Sequence, residues 1–183
     1  MGGEPLVGLD LADTLMLAVY PPVDLLATDG QLAAWWRLQS PRLPEGPMPA
    51  APAVRRLRAA IRDLLDAHLE NRWPRPTSIE DVNAAAGAAP TSPRLFLDGP
   101  ALRGEVRWHT EHGGNAGLAA IANEVIELMA APDRLDRLRR CANLSCSMLF
   151  LAANPRRQWC TANICGNRAR VSRHHERRRA GRQ

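Results

Sequence analysis

The chain has 183 residues, 45% apolar and 23% charged, which predicts a soluble globular protein with one sizeable core. No window approaches the roughly 20 uninterrupted apolar residues of a membrane span, so a helical membrane protein is excluded. The net charge of +5 is unevenly spread: residues 1–133 carry 11 Arg and 17 acids, and residues 134–183 carry 13 Arg and 2 acids. An acidic body with a basic carboxyl end is the electrostatic footprint of a polyanion-binding tail; a merely solvated basic tail is the simpler alternative.

In chain order, the apolar run from Leu6 to Tyr20 is interrupted by Asp10 and Asp13, and no basic residue precedes it. It therefore reads as a helix over 8–19 and not as an export signal, and a cytoplasmic protein is expected. Leu9, Leu11, Leu15, Met16 and Val19 would face inward. Thr28 or Asp29 caps a second helix carrying Trp35 and Trp36, expected in the core or at a subunit interface, with a homodimer among the expected assemblies. Pro41 to Pro52 is too proline-rich to be helical throughout and reads as a linker or long loop. Next comes the clearest helix: Val54, Leu57, Ile61, Leu64, Leu65 and Leu69 recur at helical spacing, with Arg55, Arg56, Arg58 and Arg62 mostly off that stripe.

Ser78 and Asp81 form a capping box for a short helix closed by Gly87 and Pro90. Asp98-Gly99-Pro100 separates two strand-like segments within 93–109, predicting a β-hairpin. Leu118, Ile121, Val125, Leu128 and Met129 mark a further amphipathic helix, and Pro132-Asp133 restarts the chain before Leu135 and Leu138. The fold expected is mainly α with a small β-hairpin: a helical amino-terminal domain over 1–133, then a small zinc-stabilised module and a basic helix over 134–183.

All four cysteines lie in that second part, as C-x4-C, thirteen residues, C-x4-C: Cys141, Cys146, Cys160 and Cys165. Two such pairs can place four sulfurs tetrahedrally, each about 2.3 Å from Zn2+. Disulfides, unrelated buried thiols and an iron–sulfur cluster are the alternatives at this point. The segment has too few apolar residues for an independent core, so metal binding would have to supply its folding energy. Arg139, Arg140, Arg156, Arg157 and Arg168 would steady the thiolates, and Gly166 would let the backbone turn tightly at the metal. Four protein ligands leave no open position, so the zinc would be structural. From Asn163 onward the chain suits a helix with arginines over most of its circumference, and Arg156, Arg157, Arg168, Arg170, Arg173, Arg177 and Arg178 are the candidate nucleic-acid contacts.

Cys141-Ala-Asn-Leu-Ser-Cys146, Phe150, Arg156-Arg157-Gln158-Trp159-Cys160 and Cys165-Gly166-Asn167-Arg168 together resemble the CGNR zinc finger, over roughly residues 135–179. Residues 6–130 are similar to the ABATE domain that precedes this finger in bacterial stress-induced transcription regulators. Leu9-Asp10-Leu11-Ala12-Asp13-Thr14-Leu15 matches its opening segment, with Asp13 where Asn is common. The resemblance implies a DNA-binding finger coupled to a domain that senses a small-molecule effector.

Asp10 and Asp13, three apart on one helix face with Thr14 beside them, are the candidate effector ligands, although capping explains them as well. His109, Glu111 and His112 lie close in sequence but form no recognisable metal-binding motif, and read as a polar loop. No Gly-rich phosphate loop, nucleophile elbow or Rossmann fingerprint occurs, so no catalytic residue is assigned and the chain is not expected to be an enzyme. The expected function is a DNA-binding transcriptional regulator; a zinc-stabilised module that holds an acidic protein partner is the alternative.

Overall fold

The computed structural model describes residues 5–111 and 113–171. The elements run α1 (Val7–Ala12), β1 (Leu15–Met16), β2 (Val23–Asp24), α2 (Asp29–Gln39), α3 (Ala51–Leu69), α4 (Pro76–Gly87), β3 (Thr91–Asp98), β4 (Ala101–Trp108), α5 (Ala116–Met129), α6 (Pro132–Leu135), β5 (Leu138–Arg140) and β6 (Leu149–Leu151). The strands make three separate two-stranded antiparallel sheets, β1 with β2, β3 with β4 and β5 with β6. The fold is mainly α with small strand pairs. Among the described residues no helix is long and apolar enough to cross a membrane.

Helix α3 is central because its stripe of Val54, Leu57, Ile61, Leu64 and Leu65 is buried along its length, against α1, α4 and α5. Pro52 sits in its first turn, where no amide donor is needed. Arg58 and Arg62, expected off the stripe, are only 5% and 7% exposed. Arg58 can be buried because it forks onto Asp24, with nitrogens 2.6 and 2.7 Å from the two carboxylate oxygens, and donates to Thr14 Oγ1 at 3.2 Å. That fork holds the Asp24 carboxyl below the usual range. Arg62 bonds Asp66 one turn on at 2.8 Å and lies 3.7 Å from Asp13.

The first helix is shorter than its apolar run: it ends at Ala12, and Leu15–Met16 pairs instead with Val23–Asp24. Local polar groups compete with the helix here, since Thr14 Oγ1 donates to the Leu11 carbonyl at 2.6 Å and the Thr14 carbonyl accepts from Leu25. Gly8 is required by close packing, because a Cβ there would lie 2.4 Å from Val125 of α5. Helix α2 begins as expected, with Thr28 and Gln31 forming a reciprocal capping box, and Trp36 is buried with Trp35 packed beside the core. Helix α4 begins at Pro76, not at a Ser78 cap. Asp63 of α3 substitutes as its cap, accepting from the Arg75 amide at 2.8 Å and from the Ser78 hydroxyl. The β3–β4 hairpin closes through the two-residue turn Gly99-Pro100, with Gly99 at φ +58°.

The carboxyl-terminal segment does not hang apart from this body. In β6 the alternation of a strand sends Leu149 and Leu151 into the main core, with Leu138 of β5, while Phe150 faces the cysteine cluster. Arg140 bridges back to Asp66 at 2.7 Å and Glu70 at 3.0 Å, and Ser147 accepts from the Leu17 amide. Both oxygens of Asp13 accept from the Leu149 amide, at 3.0 and 3.1 Å.

Asp13 has a further consequence for stability. Burial pushes its carboxyl up to about 7, against the Leu149 amide and the Arg62 charge that pull it down. The unfolded chain is ionised there well below neutrality, so the folded state holds the extra proton, and stability falls as pH rises toward and through 7. Between pH 5 and pH 8 this group should cost the fold roughly 2 kcal/mol. Asp13→Asn keeps the acceptor without the charge, so denaturant titrations at the two pH values should show a markedly flatter dependence for the variant; equal pH dependence in both proteins would refute the assignment.

Candidate metal centre and basic face

The four sulfurs come from three local structures. Cys141 follows β5 and its amide donates to the Met148 carbonyl across the β5–β6 pair, while the Cys146 amide bonds Asn143, folding the intervening residues into a tight knuckle. Cys160 ends the loop after β6, which is tied to the knuckle by a bond from the Ala142 amide to the Gln158 carbonyl. Cys165 lies in a single wide helical turn, Ala162–Gly166, closed by the Gly166 amide on the Thr161 carbonyl, and the chain continues as α-helix over residues 167–171. A Cβ at Gly166 would meet nothing closer than 3.8 Å, and its φ is not positive, so the tight turn expected of this glycine does not depend on its missing side chain.

All four Sγ atoms lie within 4.8 Å of one another, with Cys146 and Cys160 3.8 Å apart and Cys160 and Cys165 3.6 Å apart. Sulfurs held tetrahedrally at about 2.3 Å from one ion are necessarily about 3.8 Å apart, so the donor set fits a single zinc. These separations are far beyond a disulfide bond, and all four cysteines are free. Phe150, Ala152 and Trp159 complete a small apolar cluster around the sulfurs.

Without a cation the cluster resists ionisation. Burial pushes the Cys146 thiol up to about 11 and raises Cys160 further, with neighbouring thiols adding to both. Cys141 goes the other way: burial opposes its thiolate, but the amides of Cys160 and Asn143 outweigh it. The arginines expected to steady the thiolates are placed otherwise. Arg140 is engaged with Asp66 and Glu70, and Arg139 bonds the carbonyls of Asp136 and Leu138. Arg157 is half-buried over the Phe150 ring, 4.5 Å from its centre, and donates to the carbonyls of Trp159 and Cys160. It braces the loop that delivers Cys160. Arg156, Arg168 and Arg170 are exposed; Arg173, Arg177 and Arg178 lie outside the described residues.

A shallow cleft of about 580 Å³ beside the metal cluster is lined by Asn143, Leu144, Gln158, Trp159 and Arg168. Leu144, at the knuckle tip, is 96% exposed. The sequence carried no distinct signal for this cleft, because its walls come from segments distant in sequence.

The three candidate effector ligands are engaged within the fold: Asp10 pairs with Arg42 at 2.5 Å, Asp13 accepts from Leu149, and Thr14 bridges Leu11 and Arg58. His109 contacts Ser92 at 2.8 Å and lies 3.5 Å from Glu111, and His112 lies outside the described residues. Among the described residues the cysteine quartet is the one group of three or more metal-type ligands drawn together.

A helical body continuous with a four-cysteine zinc module defines a zinc-finger protein whose metal is structural. The chain belongs to the ABATE family, described as "putative stress-induced transcription regulator", which matches residues 7–132; the CGNR zinc finger matches residues 137–178. No curated protein matches the chain. Neither matching family is an enzyme family.

Purified protein should contain one zinc per chain. Because the Cys146 and Cys160 thiols are held protonated in the absence of metal, zinc binding should release protons, so calorimetric heats in two buffers of different ionisation enthalpy should diverge. Cys165→Ser should weaken binding by orders of magnitude and change the fluorescence of Trp159, whereas binding unaffected by this substitution would exclude Cys165 as a ligand.

Proposed function

We propose that the protein is a DNA-binding transcriptional regulator whose zinc centre fixes the start of an arginine-rich helix against the phosphate backbone. The observation that carries this is the placement of Arg168 and Arg170, exposed on the first turns after Cys165, at the head of a segment rich in arginine. A helix with so little apolar surface gains nothing from packing, and phosphate contacts give it a reason to be ordered. Arg156 adds a third exposed cation near the finger. Arg157 serves this reading indirectly, by holding the Trp159–Cys160 backbone.

Phosphate contacts position a protein without reading sequence. Gln158, exposed beside Arg168 in the cleft, supplies an amide of the kind that base-edge readout uses. The family's regulator description supports control of transcription in response to a signal. For a small-molecule effector, the cleft of about 680 Å³ bordered by Arg56, Asp81 and Asn115 offers more room than the occupied trio Asp10, Asp13 and Thr14.

Binding to duplex DNA should weaken linearly in log affinity against log salt, and Arg168→Ala should shallow that slope by about 0.9. The measurement is fluorescence anisotropy with zinc-loaded protein, with and without a polyanion competitor. Specific fragments should survive competition. If all DNA binding vanishes under competition while an acidic protein is still retained, the finger is a protein-interaction module instead.

A further inference from the structure

The β3–β4 hairpin projects from the body: from residue 93 to 107 every side chain except half-buried Phe96 is exposed. Its register places Pro93 opposite Val106, Leu95 opposite Gly104 and Leu97 opposite Leu102 on one face, and Ser92 with Arg107, Arg94 with Glu105 and Phe96 with Arg103 on the other. Leu95, Leu97, Leu102 and Val106 are 73%, 73%, 72% and 61% exposed. A two-stranded hairpin standing alone in water is marginal, and three or more strands are needed for independent stability.

Its two edges differ. In a two-residue turn the closing pair, Asp98 and Ala101, is a hydrogen-bonded pair, so the pairing alternates from there. The backbone groups of residues 93, 95 and 97 therefore point outward from β3, and those of 102, 104 and 106 outward from β4. Pro93 has no amide to offer and blunts the β3 edge. The β4 edge has no proline and presents a complete set of donors and acceptors.

The order of residues along β4 is self-complementary. With a twofold axis at Gly104, Leu102 falls opposite Val106 of the second copy and Arg103 opposite Glu105 of the second copy, and both pairs repeat on the far side of the axis. The parity agrees as well: Gly104 with its counterpart and Leu102 with Val106 become the hydrogen-bonded pairs. Arg103 and Glu105 form the non-hydrogen-bonded pair, in which side chains are closest. Glu105 already lies 3.6 Å from Arg94 of its own chain, so it would sit between two guanidinium groups.

We propose that β4 pairs antiparallel with β4 of a second copy of this chain about an axis at Gly104, joining two hairpins into one four-stranded sheet. Rows of aliphatic side chains then run unbroken across the axis, Leu97 and Leu102 meeting Val106 and Pro93 of the second copy. The occupant is a second copy because charge, apolar pattern and hydrogen-bond parity all match this strand to itself.

Sedimentation velocity on the full zinc-loaded chain tests this without reference to DNA. The wild type should be a dimer at micromolar concentration. Val106→Pro removes an outward amide and leaves the hairpin's own bonds, so it should raise the dimer dissociation constant at least tenfold with far-ultraviolet circular dichroism unchanged. Independently, Arg103→Glu should split the dimer by setting two like charges opposite each other at both ends, and adding Glu105→Arg in the same chain should restore it. A wild type that stays monomeric at about 100 µM, or a dimer indifferent to both the proline and the charge reversal, would overturn the proposal.

Discussion

Four sulfur atoms within 4.8 Å of one another can all be thiolates only if a divalent cation shares their charge. Burial, with the neighbouring thiols adding to it, pushes the Cys146 thiol up to about 11, so the apolar packing of Phe150 and Trp159 that shapes the site also opposes its ionisation. The metal resolves that conflict, and with it the loop carrying Cys160 and the turn carrying Cys165 acquire fixed positions. The helix over 167–171 starts from that turn, so its direction is set by coordination geometry and not by a core of its own.

The second constraint is strand alternation in β6. Three residues serve two interiors: Leu149 and Leu151 join the helical core, and Phe150 joins the metal cluster. Polar links reinforce the seam, with Asp13 accepting from Leu149 and Arg140 reaching Asp66 and Glu70. An Asn at position 13 would make the same contact with no charge to bury.

The long periodic elements were legible from residues alone. Helices α3 and α5, a cap at Thr28 or Asp29, the Gly99-Pro100 hairpin and the cysteine quartet all follow from spacing and local chemistry, and the structure has them, with Thr28 as the cap. What stayed hidden depends on contacts between segments distant in sequence. The apolar run after Ala12 looks helical until Val23–Asp24 is known to pair with Leu15–Met16. Arg58 looks solvent-facing until Asp24 is found across from it, and the Ser78 capping box yields to a carboxylate 15 residues earlier, Asp63. Arg139 and Arg140 look like thiolate partners by proximity in sequence, yet strand direction turns them toward backbone carbonyls and the body's acids. The metal ligands escaped this difficulty because sulfur spacing is itself the signal.

Sharing β6 between two interiors also bears on how such proteins can be recombined. A finger cut out after α6 would leave behind a socket in the helical body shaped for Leu138, Leu149 and Leu151, and would itself carry those three leucines into water. Grafting it onto an unrelated host therefore demands a matching recess in that host, because body and finger are fitted to each other and are not interchangeable beads on a string.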